Sequence, residues 1–293
     1  MTDQPHKSGY AAIIGKPNAG KSTLMNRILG HKISITTHKA QTTRHQVVGI
    51  YSDDDTQIVF LDTPGVITPK YELQRAMMKT VERARSDADL ILLIYDPTDT
   101  HPTDEVIELL KSINKPVFLV VNKIDALDRS KAEQKVAQLE KRLKIHSVHY
   151  VSALTGEGVN ELIEAIRGLL LPGPPFYPKE DLSEHPVRFF VSELIREQLF
   201  LLFHEEIPYS CTVDVISYDA DVDIDRINAE IIVNRKSQKG MLIGKGGEAI
   251  KRLGIQSRES IEQFLGKQVH LELHVKVREK WREKENWVRN LGY

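Results

Sequence analysis

Between a short apolar run, 10–15, and a stretch patterned as a helix, 21–29, the chain carries Gly15-Lys16-Pro17-Asn18-Ala19-Gly20-Lys21-Ser22, a full match to G-x-x-x-x-G-K-[ST]. Glycines let such a loop close around an anion, and its N–H groups converge at a helix N-terminus, where the backbone dipole favours negative charge. The pattern constrains this part of the chain to a strand–loop–helix unit able to hold phosphate. In that unit Lys21 reaches the β- and γ-phosphates, the Ser22 hydroxyl ligates Mg2+, and Thr23 is a further nucleotide contact. A bare glycine turn can match the same motif, so its partners decide.

Through residues 1–172 short β-branched runs alternate with helix-patterned stretches. Strands are predicted at 10–15, 47–51, 57–62, 90–96, 117–122 and 147–151, and helices at 21–29, 103–113, 131–143 and 159–171. Such alternation implies right-handed βαβ units around a mostly parallel sheet with helices on both faces. The runs LILLIY and VFLVV are apolar on both sides, as strands of such a sheet require.

Three further motifs fall at ends of predicted strands, the edge where open parallel sheets bind ligands. Asp62-Thr63-Pro64-Gly65 closes the second strand of a hairpin. It places the Asp62 carboxylate near a Mg2+ shell and the Gly65 amide near a γ-phosphate. Asn122-Lys123-Ile124-Asp125 ends VFLVV. A carboxylate facing N1–H and the 2-amino group suits guanine alone, so Asp125 makes that pair, Asn122 holds loop and base, and Lys123 lies over the ring. Leaving such a carboxylate unpaired against adenine would be costly. Ser152-Ala153-Leu154 follows the last strand, and a backbone N–H there can meet the guanine O6.

Residues 9–170 resemble a translation-factor-class small GTPase domain, and GKPNAGKS, QTTRH, DTPG, NKID and SAL together resemble the Era family. The resemblance implies binding and hydrolysis of GTP. It also implies a first switch loop containing Thr42 and Thr43, of which Thr43 is expected to contact Mg2+ and the γ-phosphate. Lys21, Thr43, Asp62 and Gly65 are thus the expected catalytic set. Resemblance to cation-dependent members suggests that Asn18 helps hold K+, the alternative being a loop-stabilising asparagine. Val66 stands where Ras-like enzymes place a water-orienting glutamine, so slow intrinsic hydrolysis, below about 1 s⁻¹, is expected.

The segment 173–186 belongs to a proline-rich stretch without hydrophobic periodicity, read as a stiff connector at a domain boundary. Beyond it, 187–293 reads as a helix at 189–206 and strands at 211–218 and 229–234. Helical stretches follow at 247–253 and 258–265, then a strand at 269–277. Ile243-Gly244-Lys245-Gly246-Gly247 satisfies a dinucleotide fingerprint as far as Ala249, but no clear strand leads into it and too little chain remains. The G-x-x-G loop of a type II KH domain, an α+β module that clamps single-stranded RNA, is the better reading. From Arg235 to Tyr293 there are 14 Lys and Arg against 7 Glu, about +7 in a chain of net −1, so a polyanion partner is expected for this part. Lys245, Lys251, Arg252, Lys276 and Arg278 are the cations placed at the RNA, with Ile243 lining the groove. Trp281 and Trp287 are expected to pack a terminal helix rather than stack on bases.

With this module the resemblance to the Era family covers nearly the whole chain. It implies binding near the 3′ end of small-subunit ribosomal RNA, assistance in 30S assembly, and loose attachment to the inner face of the bacterial membrane. No run approaches the roughly 20 apolar residues of a membrane-spanning helix, so a cytoplasmic monomer is expected, with no DNA partner. The single cysteine, Cys211, excludes an internal disulfide and reads as a small buried residue. An RNA-binding protein with a structural, unhydrolysed guanine nucleotide and an ATP-using RNA remodeller are the competing readings; Asn122–Asp125 argues against the second.

Overall fold

The run Ala11-Ala12-Ile13-Ile14 offers water no polar side, and all four residues are fully buried in strand β1 (Lys7–Gly15). The structure, a computed structural model, describes residues 5–99, 104–111, 113–126 and 129–293. After β1 come α1 (Lys21–Leu29), β2 (Val47–Ser52), β3 (Thr56–Asp62), α2 (Glu72–Asp87) and β4 (Leu90–Tyr95). Then follow α3 (Asp104–Leu110), β5 (Val117–Val121), α4 (Arg129–Glu140), β6 (Ser147–Tyr150) and α5 (Val159–Leu169). The sheet runs β2-β3-β1-β4-β5-β6, antiparallel only between β2 and β3. Parallel pairing sends the C-terminal ends of β1, β3, β5 and β6 to one edge, and all four motifs emerge there.

Thr103, the expected start of α3, lies outside the described residues. The sequence reading contains no helix between Asp62 and Leu90, yet α2 fills that interval. Its stripe Leu73, Met77, Val81 and Ala84 is at most 1% exposed. A narrow apolar stripe in an otherwise charged segment is weak contrast, and packing against the sheet supplies what local pattern does not.

Contacts divide the chain into two units, Met1–Pro69 with Met77–Glu184 and Lys70–Ala76 with His185–Tyr293. The proline-rich segment is pinned to the first unit rather than running free. Gln57 accepts the Phe176 and Tyr177 amides at 2.7 and 3.0 Å and donates to the Tyr177 carbonyl at 2.9 Å. The Ile50 amide, on edge strand β2, donates to Leu182 O at 2.9 Å, and Ser183 Oγ donates to Val48 O.

In the second unit α6 (Val187–Leu202) and α7 (Ile207–Ser210) precede β7 (Thr212–Asp219) and β8 (Ile224–Val233). Then come α8 (Lys236–Ile243), α9 (Glu248–Leu265), β9 (Gln268–Val277) and α10 (Glu285–Asn290). The sheet order is β7-β8-β9, antiparallel and then parallel. The helical stretches expected at 247–253 and 258–265 are one helix, because Gly254 sits inside α9 on the same face as buried Leu253, Ser257 and Ile261. Trp281 is fully buried, its indole N–H donating to Ser210 O at 2.9 Å, which is the core role expected of it. Cys211 is fully buried, the small core residue expected of it.

Candidate functional site

A cleft of about 460 Å³ opens at the C-terminal edge of the six-stranded sheet, lined by the phosphate loop, residues 35–43, Gly65, and the loops after β5 and β6. The phosphate loop is held in conformations that only its sequence permits. Gly20 has φ 94°, and a Cβ there would lie 2.1 Å from Asn122 Nδ2; at Gly15 it would lie 2.4 Å from Ile94 O. Gly65 is pressed against the same loop, a Cβ falling 2.6 Å from Pro17 N.

Lys21 is buried, and its ammonium donates to Gly15 O at 3.2 Å and Lys16 O at 2.8 Å. Burial pulls its pKa down from 10.5 to about 8, while the Asp62 charge acts in the opposite sense. Ser22 Oγ donates to Asp62 Oδ2 at 2.6 Å and lies 2.9 Å from Thr43 Oγ1. The structure therefore brings together the three groups the sequence assigns to Mg2+. Thr42, the other switch threonine, has its hydroxyl engaged elsewhere, 2.6 Å from Thr37 Oγ1 and donating to Lys39 O at 2.7 Å. Asp62 is fully buried, and burial pushes its carboxyl up against the hydrogen bond from Ser22. Its Oδ1 is buried with no hydrogen-bond partner. That orphan fits a hard divalent cation.

Sequence reasoning missed Ser34, whose hydroxyl reaches the same Asp62 Oδ2 at 2.9 Å. No motif marks it; it is placed by Asn26, whose side-chain oxygen accepts the Ile33 and Ser34 amides, both at 2.9 Å. Asn18 has φ 61° and donates from Nδ2 to His38 O at 3.0 Å, the behaviour of a loop-stabilising asparagine. Val66 is buried in the core beneath the sheet and its amide donates to Gly15 O at 3.0 Å, so no side chain at that position reaches the cleft.

At the base end, Asn122 is 1% exposed and acts as a brace. Its Nδ2 donates to Ala19 O at 2.8 Å and its Oδ1 accepts the Ala153 amide at 2.9 Å. Lys123 has φ 63°, and its ammonium pairs with Asp96 at 2.6 Å. Asp125 Oδ1 accepts Ser152 Oγ at 2.5 Å, and Leu154 completes this end of the cleft. The Ala153 N–H, one candidate for guanine O6, is thus held by Asn122.

In the second unit Gly244, Gly246 and Gly247 have φ of 73°, 61° and 83°. Around Gly246 and Gly247 a Cβ would meet nothing within 4 Å, so backbone and open space coincide there, with Lys245 exposed just before them. Lys251 and Arg252 are exposed near the start of α9, and Ile243 is half-buried. Lys276 is not brought to this loop. Its neighbours Val275 and Val277 pack on Leu242 and Leu253 of α8 and α9, so Lys276 points to the opposite face, where it pairs with Glu230 at 2.9 Å. The Arg278 guanidinium stacks 5.0 Å from the Trp287 ring centre.

A family model described as "50S ribosome-binding GTPase" matches residues 10–123, and one described as "KH domain" matches residues 206–282. The fold and its cleft thus define a P-loop GTPase joined to a KH domain. GTPase Era of Staphylococcus haemolyticus is 42% identical over 98% of this chain and 97% of its own length. The chloroplastic GTPase ERA1 of Zea mays is 45% identical over 98% of this chain and 71% of its own. Among solved structures, an Aquifex aeolicus Era variant bound to GDP·AlF4− matches with a TM-score of 0.93 at 37% identity, covering 98% of this chain and 99% of the other. Era in complex with MgGDPNP and nucleotides 1506–1542 of 16S ribosomal RNA matches with a TM-score of 0.93 at 38% identity and the same coverage. With such identity over nearly the whole length, the chain belongs to the Era family of GTPases.

Proposed function

We propose that this GTPase is a nucleotide-operated RNA-binding switch that engages the 3′ end of 16S ribosomal RNA and assists 30S assembly. The observation that carries the switch is a chain of contacts: Ser22 and Ser34 both donate to Asp62 Oδ2, and Thr43 Oγ1 lies 2.9 Å from Ser22 Oγ. The Ser22 hydroxyl thereby ties the phosphate loop and Asp62 to the segment that leads through residues 44–46 into β2. Ser22, Thr43 and Asp62 are the residues that would hold Mg2+, which when bound supplies charge neutralisation for the phosphates. Gly15, Asn18, Ala19, Gly20, Lys21 and Thr23 cradle the phosphates, and Lys21 places a cation against them. Asp125 reads guanine, Lys123 covers the ring, and Asn122 holds the loops that carry both. Gly65 presents its amide at the γ-phosphate, and the buried Val66 leaves the attacking water without a side chain to orient it.

The RNA element supports a single-strand reading through the open backbone at Gly246 and Gly247, with Lys245, Lys251 and Arg252 adding salt-sensitive phosphate affinity. The relative solved with 16S nucleotides is the ground for naming that RNA. K+ dependence through Asn18 and peripheral membrane attachment belong to the same family-based reading; no helix among the described residues is long and apolar enough to cross a membrane. Equal hydrolysis in KCl and NaCl would remove the potassium part, and failure to sediment with anionic vesicles the membrane part.

The test is binding of a short 16S 3′-end RNA with a GTP analogue and with GDP, using wild type and a Lys245→Asp, Gly246→Asp double variant. The expected result is tighter binding with the analogue, lost in the variant. RNA affinity equal in both nucleotide states would refute the switch, and no phosphate release even with ribosomal particles would turn the reading to a structural nucleotide.

A further inference from the structure

The loop after β6 must place one backbone donor at the guanine O6, and its own hydrogen bonds decide which. The Ser152 amide donates to Glu157 O at 2.9 Å, Ala153 to Asn122 Oδ1 at 2.9 Å, Thr155 to Ser152 Oγ at 3.1 Å and Gly156 to Ser152 O at 2.8 Å. The amide of Leu154 makes no hydrogen bond among the described residues. The carbonyls at this turn are held by a residue outside every motif, Arg27, near the end of α1. Its Nε donates to Ala153 O at 3.2 Å and its other guanidinium donor to Leu154 O. Its aliphatic stem lies under the turn, 3.6 Å from where a Cβ of Gly156 would be. In a trans peptide, the carbonyl and the following N–H point in opposite directions. A guanidinium that draws Ala153 O toward α1 therefore turns the Leu154 N–H away from α1.

We infer that Arg27 is a positioning residue for guanine recognition, and that the Leu154 N–H it orients is the donor to O6. Arg27 lies six residues after Lys21 on the helix that begins at the phosphate loop. The base-reading loop is thus registered to the phosphate site through one short rigid element. Two planar donors on adjacent carbonyls suit arginine; lysine, a single compact charge, holds one carbonyl at a time. The inference rests on the guanine reading of the cleft. Wild type that failed to prefer GDP over ADP would overturn that reading itself, whereas failure of the Arg27 idea leaves the preference intact.

The experiment compares GDP, inosine diphosphate and 6-thioguanosine diphosphate on wild type, Arg27→Ala and Arg27→Lys. Inosine keeps O6 and lacks the 2-amino group; the thio analogue keeps the 2-amino group and N1–H but carries a poor acceptor at position 6. Loss of one oriented hydrogen bond predicts about tenfold weaker binding of GDP and inosine diphosphate to Arg27→Ala. The thio analogue should lose less than about threefold, and Arg27→Lys, holding one carbonyl at a time, should recover only part of the GDP affinity. Equal losses for all three nucleotides would assign Arg27 a general structural role and overturn the inference, as would undiminished GDP binding by Arg27→Ala.

Discussion

Replacing Asn122 with alanine tests whether this residue braces two loops or contacts the base. In the structure the side chain is 1% exposed, with Ala19 O at 2.8 Å from its amide nitrogen and the Ala153 amide at 2.9 Å from its oxygen. Truncation leaves a buried carbonyl and a buried N–H without partners, each worth about 1–3 kcal/mol. A combined loss of about 3 kcal/mol in a unit of this size lowers Tm by roughly 6–12 °C. Scanning calorimetry follows this, because the transition that rises with added GDP identifies the first unit. The two tryptophans, Trp281 and Trp287, both lie in the second unit, so their fluorescence is an internal control that should stay unchanged. Asn122→Asp keeps an acceptor for Ala153 but turns an acceptor onto Ala19 O. Its buried carboxyl titrates above the unfolded value, so its stability falls as pH rises through that range and recovers in acid, whereas Asn122→Ala shows no such dependence. A Tm drop below about 2 °C for Asn122→Ala, with GDP binding nonetheless lost, would refute the brace and make Asn122 a base contact.

Lys21, held at about 8 by burial, is partly neutral at mildly alkaline pH, and a bound phosphate restores its charge. GDP binding should take up about half a proton at pH 8 and weaken about tenfold between pH 7 and 9. Calorimetry in buffers of differing ionisation heat measures this, and the same uptake in Lys21→Met would contradict the assignment. Asp125→Asn exchanges the acceptor facing N1–H for an amide, so affinity should move from GDP toward xanthosine diphosphate, which competition binding reports. In the second unit burial pushes the Asp225 carboxyl up, but Lys267 at 2.7 Å and the Tyr218 hydroxyl at 2.5 Å hold it below the usual carboxylate value. The stability this contributes is present above about pH 4 and lost as pH falls through the depressed folded value. Lys267→Met should move the acid-unfolding midpoint upward, read by tryptophan fluorescence; an unmoved midpoint would exclude the pair as a source of acid stability.

The nucleotide cleft was legible in sequence because its chemistry is local. Phosphate loops, a carboxylate after a strand and the guanine-reading tetrad each need fixed residue types at fixed spacing. What escaped was set by tertiary contact. Ser34 belongs to no motif and reaches Asp62 only because Asn26 folds its loop back. Arg27 looks like an ordinary exposed cation on the last turn of α1 until β6 brings Ala153 beside it. Lys276 fails in the other direction. Charge counting places it at the RNA, but strand alternation turns it to the sheet face opposite α8 and α9. The proline-rich segment reads as a spacer because proline removes donors, yet the carbonyls and remaining amides of 173–184 find Gln57, Ile50 and Ser8.

The arrangement of Lys21 and Asp62 explains why such a site is built from buried charges at all. Burial works against the charged form of each, lowering the lysine and raising the aspartate. For Lys21 the fall from 10.5 to about 8 corresponds to about 3 kcal/mol held against the charged folded state. An exposed pair would avoid that strain, but it would also be screened and would gain little from a ligand. In the cleft, a phosphate facing Lys21 and a divalent cation facing the orphaned Asp62 Oδ1 each relieve one buried charge. The bound phosphate and cation also carry opposite charges in one cleft, so together they should stabilise the first unit by more than their separate effects combined. Thr43 shares hydrogen-bond distance with Ser22, so this coupled gain is felt by the switch loop and not only by the phosphate loop. If the two ligands stabilised the unit independently, the buried pair would have no such role, and the link from nucleotide to switch would have to run through the γ-phosphate alone.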